Sequence, residues 1–131
     1  DKMANPNIVN VTTINGVTTS YVPSSTSAVS LLNNAASSGK VYKIESLVAA
    51  NTSASAVNCT VSYYSNATAQ GSAPSGGTAY PIASTVSVPA NASLVVVEKS
   101  NGFYLMENSC ISITSGTANN LTFTVSYEDI S

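Results

Sequence analysis

Between Leu121 and Glu128 the chain alternates without a break, with Leu121, Phe123, Val125 and Tyr127 on one parity and Thr122, Thr124, Ser126 and Glu128 on the other. A period of two sends alternate side chains to opposite faces of a β-strand, so this stretch has one face to bury and one to leave in water. The exposed face is made mostly of hydroxyls. The same rhythm of short apolar and β-branched runs recurs from Lys40 onward, separated by clusters of Asn, Gly, Ser and Pro. No stretch carries a sustained helical period with caps. This spacing predicts an all-β fold, a single antiparallel β-sandwich of about eight to ten strands, Ig-like or jelly-roll-like.

Residues 41–50 put Tyr42, Ile44, Val48 and Ala50 on one face, and the turn at 51–55 leads into a second run at 56–64, which together read as a hairpin. Residues 65–79 contain no aliphatic side chain larger than alanine, the composition of a long and mobile loop. Ile82, Val86 and Val88 mark a strand that stops at Pro89. The all-apolar run Leu94 to Val97 predicts burial on both faces. Further strands are expected around Phe103 to Met106, Ile111 to Thr114 and Leu121 to Tyr127. Before residue 40 three strand-like runs occur, with Asn15-Gly16 as a two-residue hairpin turn. The expected organisation is one domain over 3–131, with 3–38 forming either an edge hairpin or an arm. Asp1 and Lys2 read as a vector remnant ahead of Met3.

Charge limits the functions open to such a chain. It has 131 residues, the size of one domain, with 4 lysines, 6 acidic residues, a net charge of −2 and no arginine or histidine. Neutralising phosphates takes a basic patch, so nucleic acid is not an expected partner. Catalysis and metal binding at neutral pH rely on His or on clustered Asp, Glu, Cys and Lys. The acids stand singly apart from Glu128-Asp129, which reads as a solvated chain end. No phosphate-loop, dinucleotide, zinc or nucleophile-elbow motif occurs. No catalytic residue, metal site or cofactor is expected, and no apolar run approaches the ~20 residues of a membrane helix.

Three other features have plain structural readings. Cys59 shares phase with Val57, Val61 and Tyr63, while Cys110 is out of phase with Ile111 and Ile113, so the two thiols are expected to point apart and stay free. Glycosylation-type sequons at Asn10, Asn51, Asn58, Asn66, Asn91 and Asn120 follow from the abundance of Asn, Ser and Thr. Tyr63, Tyr64 and Tyr80 bracket the 65–79 loop and are the candidate partner contacts.

Several stretches carry a family resemblance: MANPNIVNV from Met3, SGKVYKIESLVAAN from Ser38, IASTVSVPANASL from Ile82, FYLMENS from Phe103 and VSYEDIS from Val125. Together they resemble the small virion structural proteins of tailed phages that infect marine cyanobacteria. The resemblance implies a non-enzymatic β-sandwich of the particle, made in the bacterial host cytoplasm and incorporated in the virion. Its expected role is a minor capsid or decoration component whose partners are other virion proteins, the major capsid protein among them. A homo-oligomer, trimer or dimer, is expected on a symmetric particle, with edge contacts from Asn7 to Ile14. The alternative is a carbohydrate-binding or adhesin-like module of a tail or fibre that uses the three tyrosines. An enzyme would need Glu45, Glu98 or Glu107 in a pocket with another polar group.

Overall fold

The computed structural model describes residues 11–131 and contains nine strands: β1 (Ile14–Tyr21), β2 (Val29–Asn34), β3 (Val41–Asn51), β4 (Val57–Tyr64), β5 (Ala79–Val88), β6 (Ser93–Val97), β7 (Phe103–Leu105), β8 (Ser109–Ser115) and β9 (Leu121–Ile130). One sheet runs β1-β9-β3-β6, with β7 also paired to β3, and the second runs β2-β8-β4-β5. Every pairing is antiparallel. The expected β-sandwich is therefore the fold. Its strand order is that of a jelly roll, in which the chain repeatedly crosses between sheets and the last strand returns beside the first. β6 and β7 together fill one strand position, interrupted by a 3-10 turn at Lys99–Asn101.

The core follows the alternation. Val57, Cys59 and Val61 from β4, Ile111 and Ile113 from β8, Ile44 and Leu47 from β3, and Leu121, Phe123 and Val125 from β9 are all buried in one cluster. Each such side chain contributes about 1.5–3 kcal/mol when fully buried. On β3 Ile44, Leu47 and Ala49 are buried in the core, so Val48 and Ala50 do not share the face of Ile44 as expected, because a bulge between Ile44 and Ser46 resets the phase.

Three expectations are corrected. β3 and β4 do not form a hairpin, since β3 lies in the first sheet and β4 in the second, and residues 52–56 arch between them. Asn15-Gly16 is not a turn. Both residues lie within β1, opposite Asp129 and Glu128, because pairing along the whole of β9 offers more than a local two-residue reversal. The run Leu94 to Val97 is not buried on both faces: β6 is an edge strand and Val95 is 55% exposed, while a bulge opposite Leu47 and Val48 lets Val97 turn inward beside the half-buried Leu94 and Val96. Of the expected edge segment Asn7 to Ile14, residues 7–10 lie outside the described residues.

Each end of the sandwich is held by a buried asparagine. At the end that carries the β3–β4 arch and the β5–β6 turn, Asn51 donates from Nδ2 to the carbonyls of Ser55, Val88 and Pro89, while its Oδ1 accepts from the Ser53 amide and hydroxyl. At the opposite end, Asn34 donates to the carbonyls of Lys40 and Leu105 and accepts from the Ser38 hydroxyl. A jelly roll leaves backbone groups at its crossovers without ladder partners, and one amide side chain can satisfy several of them.

Candidate interaction surface

The 65–79 segment is docked, in contrast to the mobile loop expected from its composition. Its neck closes with the Ser65 amide donating to Thr78 O and the Thr78 amide to Ser65 Oγ. Its tip reaches β2, where Ser30 N donates to Ser72 O at 2.9 Å and Gly71 N to Ser30 O at 2.9 Å. Ser30 and Leu31 sit at a bulge in the β2–β8 ladder. The bulge leaves their backbone groups to be satisfied from the other side, and Gln70 Nε2 takes the Leu31 carbonyl at 2.8 Å. Gly71 has φ near +85°, and the Tyr21 ring of β1 lies over its α-carbon where a side chain would otherwise stand. Apolar content misled here because backbone hydrogen bonds, and not side-chain burial, hold the loop down.

Under this loop the outer face of the second sheet is buried although it is polar. Ser62, Ser112 and Cys110 lie there out of solvent. Cys59 and Cys110 face opposite sides of their sheet, pair with Ser115 and Tyr64 respectively, and are free thiols, as expected. Burial pushes the Cys59 thiol up to about 11. Burial raises Cys110 too, opposed in part by hydrogen-bonding groups of Ser30 and Thr68. Both thiols are thus poor nucleophiles in the folded protein.

The three candidate tyrosines do not form one patch. Tyr63 turns inward, its ring 6.0 Å from Phe103, its hydroxyl donating to Ser109 Oγ and accepting from the Met106 amide. Tyr64 points the other way, is 8% exposed beneath the loop, and accepts from the Gly77 amide. Tyr80 alone is open, at 57%. The three glutamates do not converge either. Glu45 lies 3.9 Å from Lys43, Glu98 accepts from the Ser100 hydroxyl, and Glu107 accepts from the Gly39 amide. Among the described residues no group of three or more His, Cys, Asp or Glu could hold a metal ion, and no helix is long and apolar enough to cross a membrane.

Charge is distributed unevenly in three dimensions. Residues 46–97 contain no Asp, Glu, Lys or Arg, and neither do any of the four strands of the second sheet. Lys40, Lys43, Glu45, Glu128 and Asp129 meet where β3 begins and β9 ends, with Lys40 and Asp129 3.2 Å apart and Lys43 directly opposite Glu128. These pairs are part-exposed, so each contributes little to stability. In the same region the rings of Tyr42 and Tyr127 lie 4.8 Å apart. Burial, and then the Asp129 carboxylate, raises the Tyr42 pKa, and burial is also the main cause of the rise at Tyr127.

The outer face of the first sheet shows what the hydroxyls do. Thr18 pairs with Ser126 at 2.9 Å and Ser20 with Thr124 at 3.0 Å, cross-strand neighbours whose side chains bond one another. Such pairs each contribute a few tenths of a kcal/mol to a sheet and leave neutral acceptors facing outward. The long chargeless interval was visible in the sequence. That all four strands of the second sheet are free of charge required the strand order. No family model matches the chain, and neither curated proteins nor solved structures yield a match.

Proposed function

We propose that this protein is a non-enzymatic structural component of a tailed-phage virion, a minor capsid or decoration protein. The observation that carries the reading is the segregation of charge, which leaves every strand of one sheet without a charged residue. Neutral hydroxyls and amides can pair with other proteins without desolvating charged groups, and Ser and Thr lose little rotamer entropy on immobilisation. The jelly-roll order supports the reading by analogy only, since the architecture serves viral capsid domains and lectins alike. The sequence resemblance to phage structural proteins points the same way. A glycan-binding module has less to draw on, because Tyr63 and Tyr64 are committed to internal hydrogen bonds.

The test is binding of the purified protein to capsids that lack it, followed by light scattering at low salt and at about half-molar salt. Contacts made by neutral groups persist when the Debye length falls below 10 Å. Binding that survives the salt supports the reading. No binding, or binding abolished by salt, overturns it.

A further inference from the structure

Along the flank formed by β5, β6 and β7 the core stops one strand short. β5 runs the length of the second sheet, from Tyr80 opposite the inward-facing Tyr63 to Val88 beside Asn51. Facing it, the first sheet offers only a broken strand. Gly102 lies over the Ile44 carbonyl at the break, where a β-carbon would collide with backbone. Val86, opposite the fully buried Cys59, is therefore 36% exposed. Tyr80 and Ile82, on the same strand, are exposed as well.

We propose that this flank is the contact between two copies of the chain, related by a twofold axis passing near residues 98 and 99. The charges argue for a second copy over an unrelated protein. Glu98 and Lys99 are the charged residues of the interruption, both exposed, and among the described residues neither makes an ion pair. In a twofold contact a residue near the axis meets its own symmetry mate, so a lone charge repels itself. Adjacent opposite charges instead satisfy each other crosswise, Glu98 against the partner's Lys99 and the reverse. The rest of β5 and β6 carries no charge, so like charges meet nowhere else along these strands.

Size and edge chemistry fit the same occupant. Ten residues of β5 at ~3.3 Å each, across two sheets ~10 Å apart plus side chains, give roughly 500 Å² per copy. Two copies bury about 1,000 Å², the lower end of a specific interface. Pro81 lacks an N–H, and the bulged stretch around Thr85, with φ near +51°, breaks the regular edge. These features blunt open-ended strand addition. What they leave is side-chain packing of Tyr80, Ile82 and Val86, which closes after two copies.

The experiment is sedimentation equilibrium of the full chain over a wide concentration range, with K99E, E98K and V86K. The wild type is expected to dimerise. Each variant is expected to weaken the dimer by about tenfold or more, the scale of one lost charge pair or a buried unpaired charge. An equimolar mixture of K99E and E98K is expected to regain the dimer, because the two sets of like charges are then complementary. Far-UV circular dichroism checks that each variant is folded, and V86K tests the surface without disturbing the Glu98 bond to Ser100. A monomer at every concentration, a trimer, or a dimer that K99E leaves unchanged overturns the proposal. Capsid binding is read separately, so a failed dimer and a failed virion role are distinguishable.

Discussion

Along the β1–β2 flank, the 65–79 loop hydrogen-bonds the β2 bulge, Gln70 reaches from Leu31 to Thr19, and Tyr21 covers Gly71. Along the β5–β6–β7 flank, the ten residues of β5 include a single buried side chain, Val88. Both flanks consist of strands with ordinary β-propensity, and both lie at sheet edges. The difference is that one edge is closed by chain from the same molecule and the other is not. A jelly roll has two open sides, and this chain spends its longest connection on one of them. Exposure on the second flank therefore reflects missing coverage and not a poor strand.

Truncated side chains on the two flanks should differ most in their effect on stability. Leu31→Ala, fully buried at the closed flank, is expected to destabilise by about 2–5 kcal/mol in chemical denaturation. Ile82→Ala on the open flank is expected to change monomer stability by under about 0.5 kcal/mol. Comparable losses at the two sites would show that the flanks are equally packed.

A second effect concerns alkaline pH. The Cys59 thiol has a folded pKa raised to about 11 from 9.0, so the folded state keeps a proton that the unfolded chain releases. The stability it contributes is present below pH 9 and is lost as the pH rises toward 11, by up to about 1.4 kcal/mol per unit. Denaturation midpoints measured from pH 8 to pH 11 should fall accordingly. The fall should be smaller in Cys59→Ala, although truncating this buried side chain lowers stability at every pH.

Replacing residues 66–77 by a short Gly-Ser linker is expected to uncover Cys110 while leaving Cys59 in the core. One thiol per folded molecule should then react with a disulfide reagent, against none in the wild type. Two reactive thiols, or none, would mean that the loop does not act as a cover for this face.

Several parts of this fold were legible in the chain because they depend on neighbours in sequence. Alternation at Leu121 to Tyr127 and at Val57 to Val61 marks an inward face whatever it packs against. Phase alone also separates Cys59 from Cys110. The reading failed where a local signal competed with long-range pairing: Asn15-Gly16 can make a turn, yet in β1 both residues lie opposite β9. The candidate site was less legible still. Tyr63, Tyr64 and Tyr80 are near one another in sequence, but strand alternation and the loop separate their surroundings, and the partnering of Asn34 with Leu105 spans 71 residues.

Local sequence alone dictates that the chain is β-structured, which faces turn inward on its clearest strands, and that residues 46–97 carry no charge. Which sheet each strand joins, the closure of one flank by the loop, and the gathering of charges where β3 begins and β9 ends all follow from long-range packing. The physical reason is that side-chain periodicity is fixed by backbone geometry residue by residue. Strand order instead depends on satisfying backbone hydrogen bonds and burying side chains between segments far apart in the chain.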